Sequence, residues 1–135
     1  MAKALIFATG LLTKNNIPIA KYISKKANTD IFNLKDLMTL NLDAYDTIVF
    51  GTANNSGNPD KLVIEFVQNN KDVLAKKKLY LYVLNNKEDE KTEAQVQKIA
   101  ADLGMSDVVS FNKKSEDTNS EGFPAAVDDF IANLG

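Results

Sequence analysis

At 135 residues the chain has room for one domain, 1–135, with a sizeable core, and not for two of ordinary size. Its 44% hydrophobic and 25% charged residues suit a soluble globular protein, and a net charge of -2 argues against a nucleic-acid binder. Cysteine and histidine are absent and all 16 basic residues are lysine, which excludes disulfides, thiol nucleophiles, imidazole bases and arginine clamps. Chemistry then falls to carboxylates, hydroxyls, lysines, tyrosines, backbone amides or a bound cofactor, and a cofactor is the economical choice. No apolar run approaches the length of a membrane span. The first residues lack the apolar region and cleavage site of a secretory signal, so a cytoplasmic location is expected.

Residues 3–8 form a short apolar run of strand length, followed by a polar loop holding Thr9, Gly10, Thr13, Asn15 and Asn16. A helix is predicted from about Asn16 to Lys26, with Ile17, Ala20 and Ile23 on one face. Residues 30–33 make a second short strand. Leu34, Leu37, Leu40 and Leu42 fit neither period, so 34–44 reads as an irregular or abbreviated helical connection. The third strand, 46–51, is apolar in its middle and stops abruptly at Gly51 and Thr52. After a small polar loop, Asn58, Pro59 and Asp60 open a helix that runs to about Asn70. Asparagine is a good cap, proline suits the first helical position, and aspartate suits the positive end of the dipole.

The fourth strand, 77–84, is almost continuously apolar, as when both sheet faces are covered. Its Tyr80 and Tyr82 read as packed residues. Asn85 and Asn86 lead to an acidic run, Glu88, Asp89 and Glu90, which reads as charge favouring a helix N-terminus rather than a metal site. That helix buries Val96, Ile99, Ala100 and Leu103, and Gly104 terminates it. A fifth strand, 106–111, precedes a polar stretch, 112–121, the one candidate for a disordered loop. Pro124 then opens the last helix.

Strands alternating with helices predict an α/β fold: a doubly wound five-stranded parallel sheet with right-handed crossovers and helices on both faces. Ligands of such sheets bind at the carboxyl edge. Two familiar chemistries at that edge are excluded. A phospho-receiver needs acidic residues after strand 1 and an aspartate ending strand 3, but these ends read Phe7, Ala8, Thr9 and Phe50, Gly51, Thr52. A dinucleotide site needs three spaced glycines after strand 1, and only Gly10 is there.

The chain resembles the flavodoxin-like proteins, in particular the short flavodoxin-domain family that includes the menaquinone-dependent protoporphyrinogen oxidases. The resemblance covers nearly the whole chain. It is carried by Ala4-Leu5-Ile6-Phe7-Ala8-Thr9, by Ile19-Ala20-Lys21-Tyr22-Ile23, by Asp30-Ile31-Phe32-Asn33-Leu34, and most of all by Tyr45-Asp46-Thr47-Ile48-Val49-Phe50-Gly51-Thr52 with Gly57 beyond. It implies the flavodoxin strand order 2-1-3-4-5, with FMN at the switch between strands 1 and 3. The phosphate would then lie on Thr9, Gly10, Thr13, Asn15 and Asn16. The ring would lie between Thr52, Ala53, Asn54, Asn55, Ser56 and Gly57 on one side and Asn85 and Asn86 on the other.

The sequence departs from the family pattern at Leu11 and Leu12, where small residues are usual, at Asn16, where a threonine is usual, and near Asn55, where an aromatic commonly stacks on the flavin. Stacking is worth about 1–3 kcal/mol per ring, so its loss weakens binding by about one to two decades. The leading reading is an electron-transfer protein that binds FMN non-covalently, works with a redox partner protein and needs no catalytic side chain. A flavin-free module for a protein or small-ligand partner is the alternative. A protoporphyrinogen-oxidase-like flavoenzyme comes third.

Overall fold

The alternation of side chains along the central strands sets the architecture. On β1 (Ala2–Phe7), Ala4 and Ile6 enter one apolar cluster while Leu5 and Phe7 enter another. On β3 (Tyr45–Ala53), Ile48 and Phe50 are separated from Val49 in the same way, and on β4 (Lys78–Asn85) Leu81 and Val83 are separated from Tyr82 and Leu84. Strands buried on both faces need helices on both faces. In this computed structural model, which describes residues 2–8, 16–36 and 40–134, they have them. α1 (Asn16–Ala27) and α5 (Ala126–Asn133) cover one face. The other is covered by α2 (Lys61–Asn69), the short α3 (Lys71–Leu74) and α4 (Glu90–Leu103).

With β2 (Asp30–Asn33) and β5 (Val108–Asn112) at the edges, the sheet runs β2-β1-β3-β4-β5, every pair parallel. The fold is the flavodoxin-like α/β fold that the sequence predicts. β1 and β3 lie side by side while their following helices take opposite faces, and this switch point opens a crevice at the carboxyl edge.

Several details differ from the sequence expectation, among them the last helix, which begins at Ala126 rather than at Pro124, and the fifth strand, which begins at Val108 rather than at 106. β3 continues two residues beyond Gly51, because β4 supplies partners as far as Ala53 opposite Leu84. The helix expected from Pro59 begins at Lys61; it ends at Asn70 as expected, where the Asn70 Nδ2 donates to the Phe66 carbonyl at 2.8 Å. The stretch 112–121 is a folded turn rather than a loop without order. Asn119 Nδ2 donates to Tyr22 Oη and to Asp128 Oδ2, both at 3.1 Å, and Phe123 stacks on Tyr22 with centroids 4.5 Å apart. Of the 34–44 connection, Leu42–Ala44 is a single 3-10 turn capped by Asn41, while Leu37 lies outside the described residues.

Tyrosine hydroxyls tie distant elements together. Tyr45 donates to Asp30 Oδ2 at 2.7 Å across the start of the sheet, and Tyr22 donates to Asp128 Oδ1 at 2.6 Å between α1 and α5. These bonds to carboxylates, with burial second, push both phenols up to about 12. Burial, then the charge of Asp60, pushes Tyr82 up further. A phenol whose folded pKa is raised stabilises the fold fully below its unfolded value, about 10, and the contribution is lost as pH climbs through the folded value. Urea midpoints should therefore be level through neutrality and fall above about pH 10, with Tyr45→Phe removing part of the fall. A midpoint that held level to pH 12, where the Tyr45 phenol is half ionised, would contradict this.

Candidate functional site

The carboxyl edge is organised by the last residues of β3. Thr52 is 1% exposed, and its Oγ1 accepts from the Asp60 amide at 2.7 Å and donates to the Ala53 carbonyl at 3.0 Å. Asp60 is the residue before α2, yet its side chain does not cap that helix. Instead Oδ2 accepts from the Ala53 amide at 3.1 Å and Oδ1 from Asn55 Nδ2 at 2.9 Å. The loop is thus pinned at both ends by one carboxylate and one hydroxyl. Between them the chain doubles back: Asn55 and Asn58 exchange backbone bonds at 3.0 and 3.2 Å, with Ser56 and Gly57 at φ of 55° and 93°. The left-handed angle at Gly57 suits glycine alone, and a Cβ there would also sit 3.4 Å from Gln95 Cγ.

Asn54 joins this loop to β4 and α4. Its amide donates to the Leu84 carbonyl at 3.0 Å, and its Oδ1 accepts from the Gly57 amide at 2.8 Å. Its Nδ2 donates to Asn85 Oδ1 at 2.9 Å and to Gln95 Oε1 at 3.1 Å, so both donors are used. Lys98 closes the assembly from α4, reaching the Gly57 carbonyl at 3.1 Å and Asn58 Oδ1 at 3.3 Å while paired with Asp102 at 2.9 Å. Asp89 caps α4 by accepting from the Thr92 amide at 2.7 Å, and its bonds to Thr92 hold its carboxyl below the usual range. Between the β3 and β4 ends lies a cleft of about 250 Å³, lined by Asn54, Ser56, Asn85, Asn86, Asp89 and Gln95 among others. It is smaller and more polar than the sites that enclose drug-sized ligands.

Of the predicted ring-side residues, Thr52, Ala53, Asn54, Asn55, Ser56, Gly57, Asn85 and Asn86 all come together at this edge, but many of their polar groups are engaged with one another. Among the amides of 54–57, only that of Ser56 has no partner among the described residues. Thr52 and Ala53 belong to the strand, not to the loop.

On the phosphate side, Thr9, Gly10, Thr13 and Asn15 lie outside the described residues. Asn16 is described. It opens α1, is 2% exposed, and its Nδ2 has no partner among the described residues. An unpaired buried donor costs about 1–3 kcal/mol. A ligand acceptor would remove that cost, and the helix N-terminus favours an anionic one. Sequence reasoning missed Lys113, the residue after β5, whose Nζ lies 3.5 Å from Asn16 Oδ1. It missed Lys98, Asp60 and Gln95 as well. Their partners lie far along the chain or outside any helix-capping pattern, so no local spacing signals them.

This parallel sheet, its switch point and its polar carboxyl-edge crevice define a flavodoxin-type protein. The sequence model of the flavodoxin domain matches residues 15–117, and the chain belongs to that family. No curated protein matches it. Among solved structures it is similar to a WrbA-like flavodoxin from Agrobacterium tumefaciens, at 14% identity and a TM-score of 0.61, with 99% of each chain covered. It is similar to a Fusobacterium nucleatum flavodoxin bound to flavin mononucleotide, at 16% identity and a TM-score of 0.56, over 91% of this chain and 74% of that one. An archaeal flavodoxin matches at 13% identity and a TM-score of 0.55, over 98% and 93%. At these identities the likeness is one of fold.

Proposed function

We propose that this flavodoxin-domain protein binds FMN non-covalently at the carboxyl edge of its sheet and carries electrons to or from a partner protein, with the cytoplasm as its compartment. The observation that carries this reading is the orphaned, buried Nδ2 of Asn16 at the start of α1, a donor placed where a phosphate would be bound. Family membership and the FMN held by the Fusobacterium protein support the same ligand.

The bound flavin would supply the redox chemistry. The chain's own residues would bind, orient and shield it. Asn16 would donate to the phosphate, the free amide of Ser56 to the ring edge, and the rigid loop built on Asn54 and Asp60 would set one wall of the ring site. No side chain needs to move a proton. The ring end departs from the family pattern, since neither 52–58 nor 85–91 holds an aromatic and most loop amides are already engaged. FMN is therefore expected to bind reversibly, near the micromolar range, about -8 kcal/mol. Flavin fluorescence quenching on titration of the apoprotein tests this. Saturation at micromolar FMN with much weaker riboflavin binding is the expected result, and no quenching at high micromolar FMN would refute it.

The self-contained bonding of 52–58 favours one second reading, a flavin-free module that presents this edge to a partner protein or small ligand. Failure to bind FMN would select it. A protoporphyrinogen-oxidase-like activity remains third, resting on the sequence resemblance alone.

A further inference from the structure

The turn after β5 brings a cation to the start of α1. Lys113 donates its backbone N–H to the Asn85 carbonyl at 2.8 Å, which anchors it to the end of β4 at the carboxyl edge. The residue is half-buried, and its Nζ faces Asn16 Oδ1 at 3.5 Å. That separation is at the outer limit of a hydrogen bond and leaves the ammonium with donors to spare. Among the described residues no carboxylate lies within ion-pair distance of it. Beside it, the buried Nδ2 of Asn16 is also without a partner among the described residues. A cation and a buried amide donor, both under-used and both at a helix N-terminus, share one unmet need: an acceptor with negative charge and several oxygens.

We propose that Lys113 is a charge-bearing specificity residue that, with Asn16, selects a phosphate monoester at the start of α1. The ligand's identity as FMN rests on the function proposed above; the anion site itself does not. A fixed ammonium next to the phosphate makes binding depend on the dianion and weaken with salt. FMN is then distinguished from riboflavin by charge as well as by hydrogen bonding.

The test is NMR of 15N-labelled protein at low salt, titrated separately with inorganic phosphate, riboflavin and FMN, reading the Asn16 side-chain amide and the Lys113 backbone amide. In the parent chain, phosphate and FMN should both shift these signals saturably and riboflavin should leave them in place. Lys113→Met should weaken phosphate and FMN at least tenfold, and Lys113→Arg should restore most of the loss. Phosphate and FMN bound equally well by Lys113→Met would overturn the role of Lys113 while leaving FMN binding intact. Phosphate binding that needs Lys113, without any FMN binding, would uphold the anion site and remove FMN as its ligand. No response to either anion would overturn both.

Discussion

Gly51→Ala should be the most damaging small substitution in the sheet. A Cβ at Gly51 would stand 2.2 Å from both Cζ and Oη of Tyr82, far inside contact distance. The ring cannot simply swing aside. It is 1% exposed and packs with Phe111 and Phe130, at centroid separations of 5.8 and 5.9 Å, in a cluster that joins β4, β5 and α5. Backbone angles are not the obstacle, because Gly51 lies in a regular strand; space is. Overpacking a rigid core costs about 1–3 kcal/mol and sometimes more, and this overlap belongs at the upper end. Urea unfolding should show the midpoint fall with little change in slope. The cause is testable by a double-mutant cycle, since Tyr82→Leu removes the clashing ring and should make Gly51→Ala nearly harmless in that background. An unchanged midpoint for Gly51→Ala would show that the ring yields freely.

Asn54→Ala should give the second large effect, and at the site rather than in the core. Removing the side chain leaves the Gly57 amide, Asn85 Oδ1 and Gln95 Oε1 without their partner in one step. Asn85 is 5% exposed, so water replaces little of what its oxygen loses. The expected loss is about 2–3 kcal/mol, from the desolvation of unpaired groups. Hydrogen exchange at Gly57 should accelerate along with it, whereas exchange in β1, which is not among the hydrogen-bond partners of Asn54, should follow global stability alone. Unchanged protection at Gly57 would mean that the loop keeps its shape without Asn54.

The sheet was legible in the sequence because parallel strands buried on both faces need long apolar runs, and such runs stand out between polar stretches. Strand order was not carried by those runs; it came with the flavodoxin resemblance and agrees with the observed sheet. The errors fell where a distant partner decides a local outcome. Asn58 and Pro59 look like a helix start, but Asp60 spends its carboxylate on Ala53 and Asn55, and the helix begins at Lys61. The polar stretch after β5 has the composition of a loop without order, yet Asn119 binds Tyr22 and Asp128 and folds it. At the site, the residue types at the tips of β3 and β4 were visible. What could not be read was that Asn54 turns to Asn85 and Gln95, so that the loop satisfies itself before any ligand arrives.

The proposed seat of FMN across this carboxyl edge is open to mapping by FMN-induced amide shifts over the whole chain. Perturbations should concentrate at Asn16, 54–57, Asn85 and Lys113, with the amino-edge residues Lys78, Ser106 and Asp107 undisturbed. Shifts centred on that opposite edge, or no shifts at saturating FMN, would contradict it.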